Sequence, residues 1–218
     1  MPIKKIETKT LRQKVYEELR QSILGAEILP GEIVSLRSLA DKFGVSLLPV
    51  REAVWQLESE KILIVKSNKR IEVNKLTAKE LDEALDLRLL LESTAVKKAC
   101  LKRPDDAVEK VEKLCRAMEK YLGKNHKAYL RKNDQFHHTI YSYADSPMLL
   151  DLIKRLLARV NPYLYLHAIY GRDLTSAMDC HHEMFKGFAN GDEKRAVAAL
   201  RRDLKEAAQV IRPYLEKH

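Results

Sequence analysis

Residues 35–59 read SLRSLADKFGVSLLPVREAVWQLES, and this stretch decides the fold of the N-terminal third of the chain. It predicts two short helices, over 35–43 and 46–59, separated by a Gly-Val-Ser turn. Ser35 and Ser46 suit the N-cap positions, because a serine hydroxyl can accept a hydrogen bond from a free N–H of the first turn. A turn this tight makes the helices cross steeply, so the N-terminal end of the second helix should project.

The flanking segments complete a small domain. Before the two helices, an apolar stripe with a spacing of four residues predicts a further helix; its members are Leu11, Val15, Leu19 and Ile23. After them, Ile62–Val65 and Ile71–Val73 predict a β-hairpin with a basic tip over Lys66–Arg70. A projecting helix fits the major groove of DNA, and the hairpin would act as a wing. The same packing also suits a three-helix protein-interaction module without DNA binding.

The rest of the chain predicts helices only. Thr77 and Glu80 form a capping-box pattern at the start of the first of them. Including this one, about six helices are predicted, near 77–101, 105–122, 126–144, 146–167, 174–189 and 192–214. The predicted fold is therefore mostly α, with a winged helix-turn-helix over 1–75 and an antiparallel all-helical bundle over 76–218.

Composition limits the classes of function. The chain has 218 residues, of which 45% are hydrophobic and 33% charged, and its net charge of +9 favours a polyanionic partner. No apolar run approaches the roughly 18 residues that span a bilayer, and the N-terminal residues MPIKKIETKT contain no apolar signal region. Three widely separated cysteines suit reduced thiols. We therefore expect a soluble, cytoplasmic protein without a membrane partner.

The predicted bundle contains candidate metal ligands. Asp134 and His138 are four residues apart, so both should project from one face of a helix. With His181 and Asp203 they offer two imidazoles and two carboxylates, a set that suits zinc, nickel, manganese or iron. The alternative interpretation is a surface ion pair. His137 should point about 100° away from His138.

The N-terminal domain resembles the DNA-binding domain of the GntR family of bacterial transcription regulators. The similarity runs without a gap over residues 11–63 and rests on four anchors together, which are Leu-Pro-Gly-Glu, Ser-Leu-Ala, Gly-Val-Ser and Pro-Val-Arg-Glu-Ala. It implies DNA contacts by the following residues: Arg37, Ser46, Leu47, Arg51, Lys69 and Arg70. Arg51 is the expected base reader, because a guanidinium can bond O6 and N7 of guanine together.

The chain departs from that family in two places. Leu47 and Leu48 stand where the family usually has Arg-Thr, and Arg70 stands where the wing usually has glycine. One expected consequence is an altered operator, with Leu47 in contact with a thymine methyl. The other is weaker binding, offset by Lys69 and Arg70.

The C-terminal domain resembles the FCD effector domain of the FadR branch of the same family, over about 76–210. The motifs are Leu87–Glu92, Asn133–His138, and His181 followed by Gly191-Asp192, Ala196 and Asp203. Many members bind a divalent metal through one aspartate and three histidines. The resemblance therefore implies ligation by Asp134, His138 and His181, with Asp203 in place of the third histidine. It also implies that Arg88 holds a carboxylate effector; an ion pair with Glu92 is the alternative.

The resulting functional hypothesis is a sequence-specific transcription regulator, a repressor that binds a palindromic operator in double-stranded DNA as a homodimer. Its effector would be a small organic acid. A metal-dependent helical-bundle enzyme is the rival class, but the chain lacks the paired Glu-x-x-His motifs of a di-iron bundle. A protein-interaction module without DNA binding is the third. The sequence therefore predicts no enzyme.

Overall fold

The computed structural model describes residues 10–66, 70–169 and 174–216. The chain divides into two compact units, Met1–Lys75 and Leu76–His218. Lys69, at the tip of the expected wing, lies outside the described residues. In the part of the chain that is described, no helix combines the length and apolar character needed to cross a bilayer.

The first unit consists of three helices and a three-stranded sheet within its described residues. Its elements are α1 (Leu11–Leu24), β1 (Ile33–Val34), α2 (Leu36–Phe43), α3 (Leu47–Ser59), β2 (Leu63–Val65) and β3 (Ile71–Val73). α1 packs against α3 and buries Val15, Leu19 and Ile23, as its apolar spacing predicted. Leu11, the first residue of that stripe, is exposed.

The sheet contains one strand more than predicted. The strand order is β1-β3-β2, and both pairings are antiparallel, with Ile64 and Ile33 each opposite Glu72. β1 was not predicted from the sequence, because two residues are too few to show the alternation that marks a strand. β1 and the predicted hairpin together give the complete winged helix-turn-helix.

The helix-turn-helix has the predicted ends. The Ser35 hydroxyl accepts from the N–H of Ser38 at 3.0 Å, and Gly44 ends α2 with a φ of 64°. Ser46 occupies the N-cap of α3, but its side chain makes no capping hydrogen bond, in contrast to the prediction. Its exposed hydroxyl is therefore available to an external group.

The second unit is helical throughout its described residues. Its six helices are α4 (Ala78–Lys102), α5 (Ala107–Tyr121), α6 (His126–Ser142), α7 (Pro147–Ile169), α8 (Thr175–Asn190) and α9 (Glu193–Glu216). α4 contacts α6, α7, α8 and α9, so it forms the centre of the bundle. α8 and α9 approach closely at Gly187, where an added Cβ would lie 2.5 Å from the backbone nitrogen of Ala196. The mostly helical fold class is confirmed.

The predicted capping box starts α4. Glu80 accepts from the N–H of Thr77 at 2.9 Å, and its other carboxylate oxygen accepts from Arg159 of α7 at 2.5 Å. The hydrogen bond from Arg159, followed by that from Thr77, lowers the pKa of Glu80 to about 2. Glu80 thus joins the start of α4 to α7.

Replacing Glu80 with glutamine is expected to lower the free energy of unfolding at pH 7 by about 1 kcal/mol, a modest value because the pair is partly exposed. The folded pKa lies below the unfolded one, so this stabilisation is present above about pH 4.5 and disappears as the pH falls towards 2. Urea titrations should show a smaller difference in the free energy of unfolding between variant and wild type at pH 3 than at pH 7. Glu83→Gln, also on α4, serves as the control, and an equal loss there would contradict the assignment.

Candidate DNA-binding surface and metal centre

α3 has one buried face and one exposed face. Its buried side chains pack into the first unit and are Pro49, Val50, Ala53, Val54 and Leu57. The opposite face presents Leu48, Arg51 and Trp55, which are spaced three and four residues apart and so share one side of the helix. Arg51 is thus exposed at the end of α3 that the sequence analysis assigned to the major groove.

The other residues expected to contact DNA are also at the surface where they are described. Arg37 of α2 and Ser46 at the start of α3 are exposed. Arg70, immediately before β3, is exposed as well, and Lys66 forms an ion pair with Glu72 across the hairpin. The expected DNA-contact residues that the structure describes therefore all lie at the surface of the first unit.

The second unit brings together His137 of α6, His181 of α8 and Asp203 of α9. One ligand atom from each lies within 4.8 Å of the other two. The two Nε2 atoms are 3.1 Å apart, and the Asp203 carboxylate lies 3.6 Å from His137 and 3.7 Å from His181. Both histidines are buried. The three side chains form a compact cluster, which we call the His-His-Asp cluster.

The dimensions of this cluster fit one metal ion. Ligand atoms bound tetrahedrally to zinc at about 2.0–2.1 Å lie about 3.3 Å from one another. The two Nε2 atoms are 3.1 Å apart; Asp203 Oδ2 lies 3.6 Å from that of His137, and Asp203 Oδ1 lies 3.7 Å from that of His181, all close to this value. Two imidazoles and one carboxylate can bind zinc, nickel, manganese or iron, so the geometry does not specify the metal.

Hydrogen bonds from outside the cluster orient its histidines. Tyr141 donates its O–H to Glu92 at 2.5 Å, so its oxygen is left to accept Nδ1–H of His137 at 3.1 Å. That tautomer leaves the Nε2 lone pair of His137 available to a metal. Nδ1 of His181 lies 3.3 Å from the Tyr129 hydroxyl, which can fix its tautomer in the same way.

Burial keeps both histidines neutral. It lowers the pKa of His181 to about 3, with a further contribution from His182, and it lowers the pKa of His137 well below its usual value. Burial also raises the pKa of Asp203 to about 7, although the nearby Arg88 opposes this. Neutral imidazoles are the forms that bind metals, and a metal ion would compensate the charge of the buried carboxylate.

Arg88 forms the ion pair with Glu92 that the sequence offered as the alternative to effector binding. Its Nε donates to Oε1 at 2.5 Å, and both side chains are buried, with 8% and 1% exposed. Burial acts to lower the pKa of Arg88, but the charges of Glu92, Tyr141 and Asp203 outweigh it and the pKa is raised. Arg88 is therefore a permanent positive charge next to the His-His-Asp cluster.

The structure differs from the predicted ligand set at two positions. His138 is exposed and lies outside the cluster, whereas its neighbour His137 points inward, the reverse of the expected arrangement. Asp134 also lies outside the cluster and accepts hydrogen bonds from Tyr165 at 3.3 Å and Asn161 at 3.5 Å. Burial raises the pKa of Asp134 to about 7.

A helical pattern in α6 contained the signal for His137. The buried apolar residues of α6 include Tyr129, Leu130, Phe136, Ile140 and Tyr141. Ile140 and Tyr141 lie three and four residues after His137, so this face of the helix includes His137 and excludes His138. Tyr163 of α7 accepts a hydrogen bond from the N–H of Leu76 at 2.8 Å and thus has a structural role.

Two family models match the chain, one in each unit. Residues 11–73 match the model described as bacterial regulatory proteins, gntR family, and residues 83–206 match the FCD domain. Together the two matches cover most of the chain, and the second alone covers more than half of it. Both resemblances noted in the sequence are thereby confirmed.

Individual relatives agree with this result. The chain is 30% identical to the uncharacterized HTH-type transcriptional regulator YdhC of Bacillus subtilis, over 69% of this chain and 66% of that protein. It is 24% identical to the HTH-type transcriptional repressor RspR of Escherichia coli, over 94% and 90%. The solved structure of E. coli McbR/YncC has the same fold, with a TM-score of 0.87 at 21% identity over 97% of this chain and 100% of that one. The chain therefore belongs to the gntR family of bacterial regulatory proteins, and it is a DNA-binding transcriptional regulator with an FCD domain rather than an enzyme.

Proposed function

We propose that this regulator is a homodimeric repressor that binds a palindromic operator in the cytoplasm and responds to a small carboxylate bound beside a divalent metal. The observation that carries the proposal is the His-His-Asp cluster, with its three ligand atoms within 4.8 Å of one another in the interior of the second unit. Two neutral imidazoles and a carboxylate arranged around one point suit a divalent metal, which would compensate the charge of the buried carboxylate.

The proposed ligands are His137, His181 and Asp203. They replace the set expected from sequence, because His138 is exposed and Asp134 belongs to a separate group with Tyr165 and Asn161. Three protein ligands would leave at least one coordination position for water or for an effector carboxylate. A carboxylate oxygen is a good ligand for each of the metals considered, which makes an organic acid the fitting effector.

Arg88 supports binding of a carboxylate near the metal. Its hydrogen bonds to Glu92 involve Nε and Nη2 and leave the Nη1 protons outside the pair. Asn161 adds a second polar feature, because its Oδ1 is buried and has no hydrogen-bond partner among the described residues. An acid with a hydroxyl or amino group would supply the missing donor.

A two-fold dimer supports operator recognition. One helix-turn-helix reads only a few base pairs, so a palindromic site needs two copies related by a two-fold axis. The second unit exposes apolar side chains on α4 and α7 that a second copy would cover; these are Leu87, Leu90, Met148 and Leu152. Because α4 also contributes Arg88, effector binding would act on the same helix as dimerisation.

The test uses an operator obtained by repeated enrichment of random duplexes on the full-length protein. Zinc-loaded protein should bind it as two copies per duplex, with an affinity that falls steeply as salt rises. Fluorescence anisotropy is then repeated with a panel of small mono- and dicarboxylates. At least one acid should weaken operator binding by about tenfold or more, a usual size for allosteric coupling.

The control for this experiment is the same titration after removal of metal with a chelator, which should abolish the response to the acid. A protein that binds its operator equally well with every acid, with or without metal, would contradict the proposed effector mechanism. It would leave the assignment as a DNA-binding regulator intact.

A further inference from the structure

The first turn of α3 exposes two leucines. Leu47 and Leu48 have 44% and 61% of their surface exposed, whereas the other apolar residues of α3 apart from Trp55 are buried in the first unit. Exposed leucines at the tip of a helix do not stabilise the isolated protein, because their apolar surface remains in water. Their position therefore suggests contact with another molecule.

The neighbours of the two leucines indicate which molecule that is. Arg51 lies four residues after Leu47 and three after Leu48, so the three side chains are adjacent on the helix surface. Ser46 precedes them with a hydroxyl that makes no capping bond. A cation, a free hydroxyl and unpaired N–H groups at a helix N-terminus suit the sugar-phosphate backbone and the edges of bases.

Only one base-pair group in the major groove provides a specific apolar contact. Thymine carries a C5 methyl group there, and the remaining base edges are recognised mainly by hydrogen-bond donors and acceptors. A leucine has no hydrogen-bonding group on its side chain, so it can distinguish thymine only by that methyl. Arg51, by contrast, can pair with O6 and N7 of guanine.

We infer that Leu48, assisted by Leu47, is a specificity-determining residue that recognises the methyl group of a thymine next to the guanine contacted by Arg51. The operator of this protein would then contain a guanine–thymine step in each half-site. Leu48 has the larger exposed fraction and the closer spacing to Arg51, so it is expected to make the main contact. The inference depends on DNA binding by the family to which the chain belongs, and not on the metal or the effector.

The experiment removes the methyl group and nothing else. In the enriched operator, each thymine is replaced in turn by deoxyuridine, and binding of the full-length protein is measured by anisotropy. At one thymine of each half-site, wild type should lose about three- to tenfold in affinity, as expected for one buried methyl group and its packing. Leu48→Ala should bind the normal operator with a similar loss and should not distinguish thymine from deoxyuridine.

Two further variants complete the design. Arg51→Ala should lose the preference of wild type for guanine next to that thymine. This result would locate the guanine–thymine step in the operator. Leu101→Ala replaces an exposed leucine of the second unit and should keep the full response to deoxyuridine. Because Leu48 is exposed, its replacement should leave the melting temperature nearly unchanged.

The outcomes separate the possible errors. If wild type binds every deoxyuridine operator as tightly as the original, or if Leu48→Ala retains the wild-type response, the assignment is wrong and the leucines serve another contact, such as a protein partner. If no duplex is enriched at all, sequence-specific DNA binding itself fails, and this inference fails with it.

Discussion

Replacing His181 with alanine is expected to weaken zinc binding by roughly 100-fold or more, because a compact three-ligand site cannot retain its affinity with two ligands. His181 lies at the centre of the second unit, with its Nε2 3.1 Å from His137 and 3.7 Å from Asp203. Zinc affinity is measured by competition with a chromophoric chelator, and metal content after dialysis provides a second readout. Asp203→Ala should give a loss of the same order.

The control is His138→Ala, which replaces the exposed neighbour of His137 on α6 and leaves the three residues of the cluster unchanged. It should leave zinc affinity unchanged, since His138 is exposed. His181→Gln, which keeps a polar side chain of similar size, checks that loss of metal does not reflect loss of fold, with circular dichroism as the readout. Equal losses from His138→Ala and His181→Ala would show that the ligand set read from the structure is wrong.

The difference between His137 and His138 shows where prediction from sequence stopped. Adjacent residues of a helix differ by about 100° in direction, so an error of one position changes an inward side chain into an exposed one. The resemblance pointed to α6, and to His181 of α8 and Asp203 of α9, which the structure places in one cluster with His137. The apolar pattern around Ile140 and Tyr141 carried the missing information about the helix face.

Local signals were sufficient for most of the fold. The cap at Ser35, the left-handed Gly44 and the box formed by Thr77 with Glu80 all depend on residues three or four positions apart. β1 depends instead on pairing between Val34 and Ile71, which are far apart in the chain. A two-residue strand is too short to show an alternation of apolar and polar residues, so it can be identified only from its pairing with β3.

The hydrogen-bond network around Arg88 is the least predictable part of the site. Arg88 and Glu92 are one helical turn apart and could be paired from sequence. The contact between Glu92 of α4 and Tyr141 of α6 joins residues 49 positions apart and follows only from how the helices pack. Through the hydroxyl of Tyr141, this contact connects Glu92, the partner of Arg88, to His137 of the cluster.

Replacing Glu92 with alanine is expected to lower the free energy of unfolding by about 3–5 kcal/mol, because it leaves the Arg88 charge buried without its partner. In the native structure, Glu92 accepts from Arg88 at 2.5 Å and from Tyr141 at 2.5 Å, with 1% of its side chain exposed. Urea unfolding followed by circular dichroism measures the change. Tyr141→Phe should give a smaller loss, about 1–3 kcal/mol, because it removes one donor from a carboxylate that keeps Arg88.

An exposed pair of the same type separates the effect of burial from that of pairing. Glu112 and Arg116 are also four residues apart on one helix, at 2.6 Å, but their side chains are 38% and 70% exposed. Glu112→Ala should therefore lower the free energy of unfolding by only about 0.3–0.5 kcal/mol. If Glu92→Ala changed stability no more than Glu112→Ala, water or another group would have to reach Arg88. The guanidinium would then not be the dehydrated charge, fixed beside His137 and Asp203, on which the proposed carboxylate site depends.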